Sequence, residues 1–321
     1  MIAFVKRKKD FKTVASAEAI AWDVPLASIE DDVGSITLYG NTVSRGHEGD
    51  FLIMDGRIWL IDQVSPEQQQ TTVSVVDVRM AFDRFLPYLE SDTSIGSWLA
   101  EQLESHYKFV SDSAYAMPYI LVSNTDVTPF LGPNVEDGLF SLKTYMRKVN
   151  RLRDIQVNFS VMQDNLLIQI YRRTRPSHNI LFGDGRAQLV SRSYSRSSIA
   201  KVTAYQNGAG VDYFLSADGS ITTEEPLRRA EGVWRVLALE PEANMDEVVR
   251  DIFSQNSNSH KIEWRSDRVF DLYDTTYVRL DGGIMSSYVS YIGISSTDNR
   301  FHYKSGELAT TLTERLRGGK L

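Results

Sequence analysis

The sequence predicts a mainly β protein with an α+β insertion and smaller helix-containing parts. Three observations carry that expectation. Hairpin signals, above all Asp55-Gly56 and Asp281-Gly282-Gly283, flank β-branched and aromatic runs near both ends of the chain. Helical periodicity appears in residues 93–110 and 137–152, and again in a short segment near 244–254. No run of the 321 residues carries a nucleophile elbow, a metal-ligand cluster or a phosphate loop.

Taken in order, Ser35 to Tyr39 alternates apolar and polar positions. Phe51–Met54 and Arg57–Val64 flank Asp55-Gly56, whose two residues supply the positive φ angles of a type I′ turn. Thr71–Val78 is β-branched and adds a third strand. The first helix places Ile95, Trp98, Leu99, Leu103 and Tyr107 on one face, with Thr93 as N-cap. The second runs from about Asp137 to Leu152. Leu139, Leu142, Tyr145, Met146, Val149 and Leu152 form its apolar stripe, and Lys143, Arg147 and Arg151 stack four apart on another face. A hairpin pairs Ile155–Val161 with Leu166–Arg172.

Strands follow near Leu189–Tyr194 and Lys201–Gln206, a hairpin at Val211–Leu215/Ile221–Thr223, and another strand at Trp234–Leu239. Asn244 caps a short helix whose Val248, Val249 and Ile252 face inward. After Lys261–Arg265 the chain ends in strands at Tyr277–Leu280, Ile284–Ser296 and Phe301–Lys304, then Gly306 to Glu314. Gly183-Asp184-Gly185 and Gly208-Ala209-Gly210 lack the third glycine of a nucleotide loop and read as β-turns. The expected division is residues 1–90, a first β domain; 91–176, an inserted α+β domain; and 177–321, a second β domain with a small α/β excursion around 234–265. No sequence repeat of fixed period relates them.

Composition narrows the function classes. The chain has no cysteine, which excludes disulfides and thiolate metal sites. No apolar run approaches a bilayer span, and the basic stretch Lys6-Arg7-Lys8-Lys9 follows the short apolar start where a signal peptide has it first. Synthesis and retention in the producer's cytoplasm is the expectation. The five histidines have no metal-ligand spacing, so the sequence offers no catalytic, cofactor or metal residues. Glu224-Glu225, Glu240, Glu242 and Asp281 are the carboxylates that could serve acid–base work, but turn acids are common and no aromatic groove is legible beside them.

The net charge of −7 is unevenly spread. Lys143 to Arg196 holds eleven basic residues against three acids, a local +8 that leaves the rest at −15. Lys143, Arg147 and Arg151 are therefore the candidate docking surface, for an acidic neighbour such as a second copy. Plain solvation and nucleic-acid binding are the competing accounts of the same block.

Asp271-Leu272-Tyr273-Asp274, Tyr291-Ile292-Gly293-Ile294 and Tyr303 to Leu312 together resemble the closing segment of phage tail hub proteins, also called baseplate or tail-tip hubs. Ile58–Pro66 and Val211–Gly219 share the likeness, which leans towards hubs of long non-contractile tails. The resemblance implies two tube-like β-barrel domains per chain and a homotrimer forming a ring that continues the tail tube. It further implies a distal tail protein ring, the tape-measure protein and a tail-tip fibre or spike as neighbours, with genome DNA passing through the lumen without specific binding. On this view the protein is a structural virion component of the tail tip, present in the host cytoplasm during assembly, with no enzyme activity and no cofactor. Because the sequence stops at Leu321, where longer members of that family continue, no appended lysozyme, peptidase or receptor-binding module is expected. A tail-associated cell-wall hydrolase and a carbohydrate-binding adhesin, using exposed tryptophans, are the alternatives.

Overall fold

The computed structural model describes residues 1–88, 93–111, 116–133, 135, 137–182, 186–194, 199–216, 220–227, 232–239, 245–254, 260–280 and 283–305. The first six strands are β1 (Ile2–Lys6), β2 (Thr13–Ser28), β3 (Val33–Tyr39), β4 (Phe51–Met54), β5 (Arg57–Pro66) and β6 (Gln70–Asp77). They pair in the order β1-β4-β5-β6-β3-β2, and β2 returns to β1, closing a barrel. Alternate side chains point inward, so Val5, Ile36, Leu52, Ile61, Val73 and Val75 fill the interior. Asp55 and Gly56 take φ of 53° and 72°, as the type I′ turn between β4 and β5 requires. β2 and β3 approach closely at Gly34, where a Cβ would lie 2.6 Å from the Pro25 ring.

The sixteen-residue β2 has no counterpart among the expected strands. Its inward positions Ala15, Ala17 and Ala19 suit a narrow barrel wall. Alanine is a poor strand former and a good helix former, so the sequence signal is weak.

The α+β unit follows: β7 (Phe85–Pro87), α1 (Ile95–Leu103), β8 (Ile120–Asn124), β9 (Leu139–Ser141), α2 (Leu142–Arg153), β10 (Ile155–Met162) and β11 (Asn165–Arg172). β10 and β11 form the expected hairpin, and β8 joins β11 in parallel. Both helix starts differ from expectation. Ser94, not Thr93, caps α1, its Oγ accepting from the Ser97 N–H at 3.1 Å. α2 starts at Leu142 because Asp137 and Gly138 have φ of 51° and 77°, which no helix accommodates. Leu139–Ser141 pairs with β7 instead, and Ser141 caps the helix. Trp98 and Tyr145 meet edge to face at 4.9 Å in a core that also takes Phe51, Ile53 and Ile58 from the barrel's outer wall. Phe11 stacks on Tyr119 at 4.8 Å, so barrel and insertion share one core.

The remaining elements are β12 (Ser177–Leu181), β13 (Ala187–Tyr194), β14 (Ile199–Gln206), β15 (Ala209–Leu215), β16 (Ile221–Thr222), β17 (Val233–Ala238), α3 (Met245–Ser254), β18 (His260–Ser266), β19 (Thr275–Leu280), β20 (Gly283–Ser295) and β21 (Asp298–Ser305). β14 to β17 form a small four-stranded sheet, packed against Val249 and Ile252 of α3. Of the fragment at 208–210, expected as a turn, only Gly208 is in one: Asn207 and Gly208 turn the chain at φ of 51° and 79°, and Ala209 and Gly210 begin β15.

The other six strands pair in the order β12-β19-β20-β21-β18-β13. In both units the spatial order, by rank along the chain, is first, fourth, fifth, sixth, third, second. A structural repeat is therefore present without a sequence repeat, around a second core of Trp264, Phe270 and Tyr303. The copies differ in the direction of the first strand, and in closure, since among the described residues β12 and β13 do not pair as β1 and β2 do. β1 is antiparallel to β4, whereas β12 is parallel to β19. The small α/β sheet is inserted between the second and third strands of the second unit. The two units are one continuous sheet, because Asp23–Ser28 of β2 pairs antiparallel with Tyr291–Ser295 of β20. The expected closing strand from Gly306 onward, the Gly183–Gly185 and Asp281-Gly282 turns, and the Asn244 cap lie outside the described residues.

Candidate functional site: the charged junction between the barrels

Where the barrels and the α+β unit meet, three groups of charges lie side by side. The first belongs to the β2–β3 loop. Asp31 receives Lys143 Nζ at 3.1 Å and Arg147 Nη2 at 2.7 Å, and Arg147 also donates to the Glu30 carbonyl. Lys143 reaches Asp83 at 2.7 Å as well. Burial pushes the Asp31 pKa up, but the facing Arg147 and Lys143 outweigh it and hold the carboxyl below its ordinary value.

The second group is Asp77 with Arg79, at the end of β6. The Asp77 carboxylate accepts from Arg79 Nε at 2.9 Å, from its Nη2 and from its backbone N–H. Burial again opposes ionisation of Asp77, and Arg79 overrides it. Arg79 also reaches the Ser28 carbonyl, tying the group to the loop that carries Asp31.

The third group ties the α+β unit to the second six-stranded unit. Asp274 is 1% exposed. It takes both Nη atoms of Arg173, at 2.9 and 3.2 Å, and His178 Nε2 at 3.2 Å. Arg173 also bridges to Asp271 at 3.0 Å. Arg175 pairs with Asp154 at 2.7 Å and lies over the Tyr273 ring at 5.0 Å. Burial raises the Tyr273 pKa, offset in part by Arg79, Arg147, Arg151 and Arg175. Its φ of 65° is unusual for a bulky residue, and a backbone hydrogen bond from its N–H to Val289 holds it there.

This geometry corrects where two of the three expected docking residues sit. Lys143 is buried and Arg147 is largely so, and both spend their charge on Asp31 within the same chain. The expectation that the stripe lies away from the core holds only for Arg151, which is exposed, as are Arg153 and Arg172. These three make no ion pair among the described residues. Asp31 and Asp83 carried no sequence signal, and Asp274 stood out only within the Asp271–Asp274 run and without its partners, because those lie far along the chain, 112 residues away for Asp31 and Lys143.

No family model and no curated protein matches the chain. Solved structures do. The prophage MuSo2 43 kDa tail protein from Shewanella oneidensis is 14% identical, with 96% of this chain and 98% of that one covered and a TM-score of 0.51. A chain of the phage P2 baseplate in its activated conformation is 9% identical, covering 95% and 98%, with a TM-score of 0.51. The fold is that of phage tail and baseplate proteins. Within this tail-protein fold, no group of three or more histidine, aspartate or glutamate side chains suits a metal among the described residues. An open cleft of 570 Å³ in the small α/β unit is lined by Tyr213, Thr222, Glu224, Glu225, Asp246 and Arg250. Tyr213 donates to Asp246 at 2.7 Å, and burial with that carboxylate pushes its pKa up to about 12. Glu240, Glu242 and Asp281 lie outside the described residues. Trp59, Trp98 and Trp264 are core residues, while Trp234 is 63% exposed.

Proposed function

We propose that this chain is a structural component of a phage-type tail, a hub that assembles as a homotrimer into a ring continuing the tail tube. The observation that carries the proposal is the pair of six-stranded units of one strand order, fused side by side through β2 and β20. Two similar units per chain make six around a threefold axis, and a threefold ring of this kind joins sixfold tube rings to a threefold tip. The junction gives the mechanism. Its ion pairs and shared core fix the angle between the units, so that the ring is stiff before it meets its partners.

Genome DNA is to pass through the lumen without specific binding. β3 and β6 support this, since neither contains Lys or Arg: the positions that are not buried are Val33, Ser35, Thr37 and Tyr39 on β3 and Gln70, Thr72, Ser74 and Asp77 on β6. Basic groups on such a wall would hold phosphates through counterion release. A distal tail ring, a tape-measure protein and a fibre or spike are the proposed neighbours, and the virion tail tip is the proposed location. The docking surface for one of them narrows to Arg151, with Arg153 and Arg172 beside it. Catalysis is no part of this role.

Imaging of the purified full-length chain by electron microscopy tests the proposal. Threefold rings with six barrel-sized lobes are the expected result, and single particles alone at every concentration overturn it. One observation favours a second reading as a carbohydrate-binding adhesin, the exposed Trp234 ring on the small sheet. Quenching of its fluorescence by cell-wall glycans, abolished in Trp234→Ala, would support that reading.

A further inference from the structure

The basic face of α2 is answered within the chain over only part of its length. Lys143 and Arg147 meet Asp31 in the loop between β2 and β3, the second and third strands of the first barrel. Further along the helix Arg151 and Arg153 are exposed. Arg172 on β11 is exposed beside them, since it pairs with Ile155, two residues past Arg153. All three open bases are arginine. Its planar fork suits carboxylates, and it is enriched at protein interfaces where lysine is depleted.

The second six-stranded unit carries a much larger insertion at the place of the β2–β3 loop. β14 to β17 and α3 lie between its second and third strands, β13 and β18. Residues 199–259 hold ten acids against five bases. The open cleft in this insertion has Glu224, Glu225 and Asp246 in its lining against Arg250. Glu224 and Asp246 are exposed, and neither forms an ion pair among the described residues.

We propose that this acidic cleft of one copy takes the Arg151, Arg153 and Arg172 patch of the next. The contact between copies then repeats the contact within one, an acidic insertion between second and third strands set against the basic face of α2. Charge complementarity between two open surfaces selects the occupant and fixes its register. The two surfaces differ, so the contact is head to tail, and it closes into a ring when its rotation divides the circle. The inference rests on the hub reading and names a second copy of the chain as the neighbour that the patch meets.

The test uses the full-length chain, with the wild-type trimer read by native mass spectrometry. Arg151→Glu, Arg153→Glu and Arg172→Glu together should leave monomers that melt as wild type does. Thr223→Arg with Glu224→Arg, in the cleft lining, should do the same, and both sets in one chain should bring trimers back in part. The chain has no cysteine, so Arg151→Cys and Arg153→Cys can each be combined with Thr223→Cys and with Glu224→Cys. Oxidation should cross-link chains for at least one pair. Trimers at the wild-type level in the triple reversal would overturn the contact and leave the ring standing, with the patch open to a tail neighbour. No recovery in the combined variant, or no cross-link between chains for any pair, would overturn it equally. Absence of trimers in the wild type would overturn the hub reading itself, and this contact with it.

Discussion

Asp274 is the residue on which the junction most depends, since it is buried and takes Arg173, His178 and the Asp271 N–H together. Asp274→Ala would leave Arg173 short of its main partner and should cost about 3–5 kcal/mol of stability, read by denaturant unfolding. Asp31 behaves differently because its carboxyl is partly open to water. Lys143→Met should cost less, about 1–3 kcal/mol, since solvent can take over part of the lost pairing. Both Asp31 and Asp77 have pKa values held below the unfolded one, so folding favours their ionised forms. Their contribution is complete above about pH 4 and is lost as the pH falls through the lower folded values. Melting temperature should therefore drop below about pH 4, and in Lys143→Met, which removes one of the cations holding Asp31 down, the drop should be shallower. A flat profile down to pH 2 would contradict the junction's electrostatics.

At the scale of elements, legibility followed local chemistry. The β4–β5 hairpin was plain in the sequence because Asp55-Gly56 names its own turn. Gly56→Val should destabilise the first barrel by about 1–2 kcal/mol, the scale of left-handed strain for a side chain, checked by thermal melting against wild type. α2 was placed correctly in type but started early, since Asp137 and Gly138 look like a helical first turn until their positive φ is known. β2 was hidden by its alanines. The basic face of α2 was visible as a pattern, but whether it met solvent, another molecule or the same chain depended on Asp31 and Asp83, which only the tertiary fold delivers. Arg151→Glu now isolates the part of that face that is exposed. It should weaken tail-tip assembly without altering the melting of the free chain, and raising salt should weaken the wild-type contact in the same assay.

For the whole molecule, the uneven charge reads differently once the fold is known. Part of the +8 block is met by acids elsewhere in the same chain, Lys143 and Arg147 by Asp31 and Asp83 and Arg173 by Asp271 and Asp274, while Arg175 pairs with Asp154 inside the block. The asymmetry thus serves internal contacts first and leaves Arg151, Arg153 and Arg172 as a small exposed cationic patch. The duplicated six-stranded unit was legible only through its resemblance to tail hubs, because the repeat lies in strand order, with no repeating residues to reveal it. The central claim is that these two fused units are two sixths of a closed ring. Native mass spectrometry of the full-length chain tests it most directly. A dominant species of three chains, each of 36.4 kDa, is the predicted result, and a monomer that persists at every concentration would contradict it.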